Sequence, residues 1–513
     1  MTVAETTRRH VLAGAAAVGA TALAGSLLGA APAAAATATA EVTNRSLVGE
    51  DQALHLLRRA TYGPTPQSIA ELKALGVSAW LDRQLNPAAI ADPACDGLLA
   101  RLPLVGLDIT RTRAQLAKNS YDGFKQLGRA TVARAIWSNR QLLETVVEFW
   151  RNHLHVAAPS SGVWDSRCDY DRTVVRAHAL GRFADMLKAS ARHPAMLTYL
   201  DNRSSTRSKP NENYARELLE LHTVGLIYSE DDVKHGARLL SGMTVSSAGT
   251  YVYDTARHAT GAVSILGFSH ANAVADGESA ALAYLDHLAM HPATARTIAR
   301  KLVVRFVADE PPATLVDALA KVYLDNRTAI VPVLRALFTS SEFAASVGAK
   351  TRTPLEDLAA TVRALGLGPE ATGTAGLDAL YNGLVNAGHA PMRWSPPNGF
   401  PDVAAAWASP SAFLLRCNSH LNLAAGWYPK QLTRPADLLK ALVPVRPVTY
   451  GGLVDALAVR LIGVKLPPAQ TAAVLSVTGK LPTSSLSSTD TAVAGHLPYL
   501  IALVLDAPAF SVR

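Results

Sequence analysis

Cysteine is nearly missing. Cys95, Cys168 and Cys417 are the only three in 513 residues. So few, at spacings that match no zinc motif, exclude a disulfide framework as the source of stability. An oxidising compartment would permit one disulfide and leave one thiol free, and the spacing does not say which two would pair. Aromatic residues are also scarce, at 6%. Blocks of Lys and Arg interleaved with aromatics are lacking, which argues against a nucleic-acid partner. The formal charge of +8 is a mild excess for this length and suits at most a weak attraction to an anionic surface or polymer. Beyond residue 40 no apolar run is a convincing membrane span. There is no phosphate-binding loop, dinucleotide fingerprint or His-Glu-x-x-His, and no Gly-x-Ser-x-Gly elbow.

What is present begins with an address. Residues 6–40, "TTRRHVLAGAAAVGATALAGSLLGAAPAAAATATA", carry paired Arg8 and Arg9, then an uncharged apolar run, then small residues near Ala36 and Ala40. This is the order of a secretory signal. Thr7-Arg8-Arg9-His10-Val11-Leu12 resembles a twin-arginine signal. The expected partner is therefore the twin-arginine export machinery, and the mature protein is expected outside the cytoplasm, secreted or in the cell envelope. Because that route carries folded proteins, it raises the expectation of a bound metal or cofactor a little.

The rest reads as helix. "DQALHLLRRATYG" places Ala53, Leu56, Leu57 and Ala60 on one face, and "TPQSIAELKALG" opens with Thr65 as cap and Pro66 at the first position. Residues 130–156 form one long amphipathic pattern. Short strands fit only "GMTVSSAGTYVYD" and "AVSILGFS", so the expected fold is all-α with at most a small β patch near 243–268. Residues 203–210 form a polar basic loop. Residues 389–411, rich in Pro, Gly and aromatics, form a rigid loop of the kind that carries function on a scaffold. The expected organisation is a signal at 1–40, a helical domain at 41–428, and a C-terminal helical subdomain at 429–513 packed on it.

Two helices carry candidate chemistry. In "NENYARELLELHTVG", residues 211–225, Asn211 can cap the start and Gly225 can end the helix in the left-handed region. Asn213, Arg216, Glu217 and Glu220 share one stripe, while Tyr214, Leu218 and Leu221 lie opposite. A solvated face laced by Glu212–Arg216 and Arg216–Glu220 pairs is one reading. The other is a buried polar set, in which Arg216 keeps one of Glu217 and Glu220 ionised while the other is raised for acid–base work. The same carboxylates could hold a divalent metal. In "LLETVVEFWRNHLHVAA", Leu142, Val146, Phe149 or Trp150, and His153 continue an apolar stripe. His153 is therefore expected buried, as a satisfied core histidine or as a ligand or proton shuttle, and His155 at the surface. Asp402, just before a helix start, reads as a cap, and Asp201-Asn202 as a turn.

Taken together these segments identify a resemblance. "NENYARELLELHTVG" closely resembles the signature of the family called domain of unknown function 1800. "HLLRRATYGPTP", "VEFWRNHLHV", "HPAMLTYLDN", "YSEDDVKHGARLLSGMTV", "HPATARTIARKLVVRFVADEPP", "TPLEDLAATVRALG" and "PPNGFPDVAAAW" match in the same order, across roughly residues 50 to 425. The resemblance implies a large, mainly α-helical, secreted bacterial protein and supplies no reaction. Two departures stand out. The family usually has a histidine where this chain has Arg151, so a ligand would be lost there if the family's histidine pair binds metal. It often has Asp and Lys where this chain has Ala259 and Val263, leaving His258 alone.

The expectation is thus a buried polar network around residues 211–222, with three readings. One is a hydrolase or lyase acting on an envelope or extracellular polymer, with Glu217 and Glu220 as acid and base, Arg216 and His153 supporting, and Asn211, Asn213, Asp201, Trp150 and Asp402 binding. A second is a non-catalytic envelope or assembly factor, whose network only locks the core. The third places a divalent metal among His153, Glu217 and Glu220.

Overall fold

The carboxylate of Asp51 accepts the amides of Ala53 and Leu54 at 2.8 and 3.1 Å, and so starts the first helix, α1 (Gln52–Ala60). The computed structural model describes residues 51–487 and 490–513; the expected export signal lies outside them. The next helix begins as read, with Thr65 and Ser68 forming a reciprocal cap and Pro66 at its first position. The long pattern at 130–156 is two helices, α2 (Asp122–Trp137) and α3 (Gln141–His153). The break has a local cause. Asp92 accepts the Ser138 hydroxyl at 2.5 Å and the Asn139 amide at 3.0 Å, and these bonds hold the linking residues out of the helix.

The signature segment forms α4 (Glu212–Glu217), which widens into a π-helical stretch at Leu218–His222. Asn211 caps it by accepting the Asn213 amide at 2.8 Å. Gly225 closes it at φ 75°, its amide reaching back to the Leu219 carbonyl at 3.0 Å. After α5 (Glu230–Leu240) come two antiparallel hairpins. β1 (Met243–Val245) pairs with β2 (Tyr251–Tyr253), and β3 (Val263–Ile265) with β4 (Phe268–His270). The molecule is otherwise mainly helical, and among the described residues no helix is long and apolar enough to cross a membrane.

Two apolar cores organise the helices. In α6 (Pro292–Phe306), Ala295, Ile298, Ala299, Leu302, Val303 and Phe306 are buried. That helical spacing points one face into the first core, which also takes the apolar side of α3 and Leu218 and Leu219. The second core joins Leu355, Ala359 and Val362 of α7 (Pro354–Ala364) to Ala130, Ala133 and Ile136 of α2 and to Leu380 and Leu384 of α8 (Ala375–Asn386). It continues into α9 (Pro410–Ala425) through Leu423 and into α10 (Thr491–Leu505) through Leu500, Ile501 and Val504. The chain end is sewn back on: the Arg352 amide donates to Ser511 and the Arg513 amide to Lys350, each at 2.8 Å. Cys95, Cys168 and Cys417 are all free thiols, so the disulfide that the sequence allowed is not formed. Burial pushes the first two up to about 12 and Cys417 up to about 11.

Candidate functional site

The polar stripe of α4 lies at a half-open surface. Arg216 gives both guanidinium nitrogens to Glu230, at 2.6 and 2.8 Å, and lies 3.6 Å from Glu212. It does not pair with Glu220, whose carboxylate accepts the Tyr228 hydroxyl at 2.6 Å. Glu217 is half-buried near Tyr199, a phenol that burial pushes up to about 12 with help from the Glu217 charge. Asn213 donates to the Leu200 carbonyl at 3.0 Å, and Asn211 to the Asp201 carbonyl at 2.8 Å. Asp201 makes the expected turn, in the left-handed region at φ 61°. These bonds dock the helix start and tie a surface. They do not enclose a carboxylate pair.

His153 is buried as its stripe required. Its Nε2 meets the His222 carbonyl and its Nδ1 meets Lys301 Nζ, each at 3.0 Å. The ammonium donates to Nδ1 and the carbonyl accepts from Nε2, which defines one neutral tautomer. Burial, and then the Lys301 charge, holds its pKa well below the usual imidazole value. Lys301, brought down to about 8 by burial, also donates to the Leu221 carbonyl at 3.0 Å. With both ring nitrogens engaged, His153 is a satisfied core histidine. Among the described residues no group of three or more His, Cys, Asp or Glu is arranged to hold a metal. Trp150 is buried too, its indole N–H donating to Ala179 at 2.9 Å.

His155 is not at the surface. The helix ends at His153, and Leu154 leaves it at φ −99° and ψ 59°, so the helical phase stops two residues short. His155 is fully buried, its Nε2 2.8 Å from the Trp394 carbonyl, and burial brings its pKa down to about 4.

The buried ionic network that sequence placed around α4 is found elsewhere. Arg151, at the departure from the family pattern, holds Glu148 at 2.6 Å and Asp171 at 2.8 Å. Burial alone would raise Asp171, but Arg151 and then Arg167 outweigh it and hold the carboxyl well below its usual range. A second cluster centres on Asp402. This residue caps no helix; Arg305, Lys350 and Arg513 surround it at 3.2, 3.1 and 3.0 Å. Glu356 bridges the same Arg305 and Arg513 at 2.6 and 2.9 Å. Both carboxyls lie below their usual values because these cations outweigh burial. Three buried cations on one cluster need such partners, since an unpaired buried charge costs several kcal/mol.

The two clusters clamp the loop 389–411. The Phe400 amide donates to Asn152 at 3.1 Å, the Ala158 amide to the Met392 carbonyl at 2.8 Å, and the Tyr199 hydroxyl to Ser395 at 3.1 Å. Gly399, at φ +70°, lies so close to α3 that a Cβ there would meet the Asn152 carbonyl oxygen at 2.2 Å. Trp407 stacks near His389 and Phe400, with ring centroids at 4.4 and 5.9 Å. The loop is therefore a fixed wall.

That wall faces a cleft of about 390 Å³, which it shares with α7, α8 and α9. Leu380, Leu384, Trp407 and Phe413 make its lining largely apolar, and its charged residues are Asp357 and Arg416, which face each other, and Arg352, which donates to the Val512 carbonyl at 3.1 Å. Behind them His420, fully buried, donates through Nε2 to Asp357 at 3.0 Å and through Nδ1 to Asp506 at 2.7 Å. Two acceptors require the doubly protonated ring. Burial opposes that charge, but the two carboxylates outweigh burial and hold His420 above its usual pKa. Asp357 is 3% exposed, and its Oδ1 accepts no hydrogen bond among the described residues. Arg416 Nε, 3.6 Å away, is likewise without a hydrogen-bond partner. These two facing atoms are sealed into the wall of the cleft rather than open to it.

Sequence reading missed Asp357, Arg416 and His420. Thr353-Pro354-Leu355-Glu356 was recognisable as a helix start, and it places Asp357 one residue on, but nothing local announces that His420 and Asp506 converge on it. A family model described as protein of unknown function (DUF1800) matches residues 55–512. No curated protein and no solved structure matches the chain.

Proposed function

The chain belongs to the DUF1800 family, and from that premise we propose that it is an exported, non-catalytic envelope protein that holds a ligand in the cleft beside Asp357. One observation carries this reading: a cleft of about 390 Å³, largely apolar in its lining, is walled by the clamped loop 389–411. The chemistry of the lining favours binding over hydrolysis. Glycoside hydrolysis uses two carboxylates roughly 5–9.5 Å apart, whereas among the described residues Asp357 is the sole carboxylate lining the cleft, and its Oδ2 is committed to His420. A protonated His420 is a poor general base. The acid–base reading of Glu217 and Glu220 has less support, because Arg216 turns to Glu230 and Tyr228 donates to Glu220.

Export through the twin-arginine machinery, to the envelope or beyond, rests on Arg8 and Arg9 ahead of the apolar run. Changing both to Lys should leave uncleaved protein in the cytoplasm; normal secretion of the double variant would return the segment to the general pathway.

The binding role is tested by purifying the exported protein, extracting it with organic solvent and analysing the extract by mass spectrometry. Gly383 lines the cleft, and a Cβ there would meet nothing within 4 Å. Gly383→Trp therefore fills the space from an unstrained helical position. A small molecule that co-purifies with the wild type and is lost from folded Gly383→Trp supports the reading. An extract identical for both proteins counts against it.

A further inference from the structure

From the same cleft, and resting on its reading as a binding site, we infer that the ligand is an amphiphile with a carboxylate head and an apolar body. The guanidinium groups of the lining carry the inference. Arg352 gives Nη1 to the Phe510 and Val512 carbonyls, and no carboxylate pairs with it among the described residues. Its Nε and Nη2 have no partner among them either, and they are not sealed from solvent. Arg352 borders two spaces. One, of about 10 Å³, has barely room for a single water; the other is the cleft. Arg416 is arranged alike. Its Nε is sealed against Asp357 at 3.6 Å, while Nη1 and Nη2 are neither sealed nor bonded among the described residues.

The balance of charge sets the sign of the head. On the lining and just behind it, three cations, Arg352, Arg416 and His420, meet two carboxylates, Asp357 and Asp506. Asp357 is already engaged: Oδ2 accepts from His420, and Oδ1 is turned to Arg416. The Asp402 cluster beyond is balanced, since Arg305, Lys350 and Arg513 meet Asp402, Glu356 and Asp309. Burial, and then the nearby Arg58 charge, bring Arg352 down to about 10, so it is still cationic at neutral pH. One positive charge is left over, and one carboxylate cancels it. Guanidinium N–H groups also match carboxylate oxygens in strength and geometry. An ammonium head would add to the excess, and a hydroxyl would leave it standing.

The rest of the lining fits the body. Leu380, Leu384, Phe413 and Trp407 offer aliphatic and aromatic surface, and the volume lies in the range of small-molecule pockets. The opening half of α9 extends this surface outward: Phe413 and Leu414 are 48% and 67% exposed. An apolar rim continuous with an apolar cleft suits a chain longer than the cleft.

The test is isothermal titration of the full mature protein with three eight-carbon probes: octanoate, octanol and octylamine. Octanoate should bind about tenfold more tightly than octanol, the scale of one hydrogen bond to a charged group, and octylamine more weakly than either. Gly383→Trp should abolish binding of all three. Arg352→Met should remove most of the octanoate advantage; a folded Arg352→Met variant that keeps it in full overturns the assignment of the head to Arg352. Octanol or octylamine binding as tightly as octanoate, in a manner blocked by Gly383→Trp, overturns the carboxylate inference and leaves the binding role standing. Failure of all three to bind overturns both. The comparison among probes is made on the wild type, so it decides the matter even where a variant fails to fold, which a circular-dichroism melt shows.

Discussion

At the scale of single residues, the decisive contrast is between carboxylates that look alike in the sequence. Glu217 and Glu220 sit on the stripe that sequence marked, yet both are only half-buried. Asp402, read as a helix cap, is held by three cations. Thermal and denaturant unfolding should separate them. Glu217→Gln and Glu220→Gln should each cost under about 1 kcal/mol, as half-exposed substitutions do. Asp402→Asn leaves Arg305, Lys350 and Arg513 short of charge and should cost about 3–5 kcal/mol. Equal costs at the three positions would mean that the network has been placed around the wrong residue. Gly383 gives a prediction of the opposite sign. It lies inside α8 with open space where a Cβ would go, so Gly383→Ala should stabilise by roughly 0.5–1 kcal/mol, the intrinsic helix preference. A destabilised variant would show that the helix there is strained.

At the scale of elements, the loop 389–411 is rigid for reasons that most of its own residues do not reveal. Pro, Gly and aromatics gave its stiffness, but its anchors are Asn152, Lys350, Arg305 and Arg513, all distant in sequence. Gly399→Ala should be costly, because φ +70° disfavours a side chain and the new Cβ would run into the Asn152 carbonyl. A loss of roughly 1–3 kcal/mol, with weakened ligand binding, is expected from denaturation and titration. An unchanged affinity would mean that the wall does not need its clamp. The same comparison shows what the sequence could yield. The helix start at Thr65, the cap at Asn211 and the stop at Gly225 were legible, because capping is local chemistry. His153 was placed correctly by helical phase and His155 was not, because the phase ends with the helix at His153. The hairpins fall in the two segments read as short strands. The break at Ser138 was not, because Asp92 makes it from 46 residues away.

At the scale of the whole molecule, the ionic clusters and neutral histidines set the pH response. His153, His155, His222 and His389 all fold with pKa values below the usual 6.5, mainly through burial, the last three near 4, 3 and 4. Groups depressed on folding stabilise fully above their unfolded value and lose that contribution as pH falls toward the folded one. Stability should therefore decline from about pH 6.5 downward, by up to about 1.4 kcal/mol per group per pH unit. Below 3.8, Asp171 and Asp402 add to the loss. His420 works the other way: raised on folding, it contributes fully below 6.5 and loses that contribution as pH rises through its folded value. With His193 and His291 also lowered by burial, six histidines against one give a net loss, to be checked by denaturant titrations at pH 7, 5.5 and 4. A flat profile would mean that these histidines are charged in the fold. The cleft itself lay beyond sequence reading, since Asp357, Arg416, His420 and Asp506 come from three segments and no motif links them. Its role is tested most directly by hydrogen–deuterium exchange with and without octanol, an apolar probe small enough for the cleft. The expected result is slowed exchange in residues 354–364, 375–386 and 404–425, with residues 211–222 unchanged. Protection confined to 211–222 and the neighbourhood of Lys301 would contradict it and return the site to the polar helix.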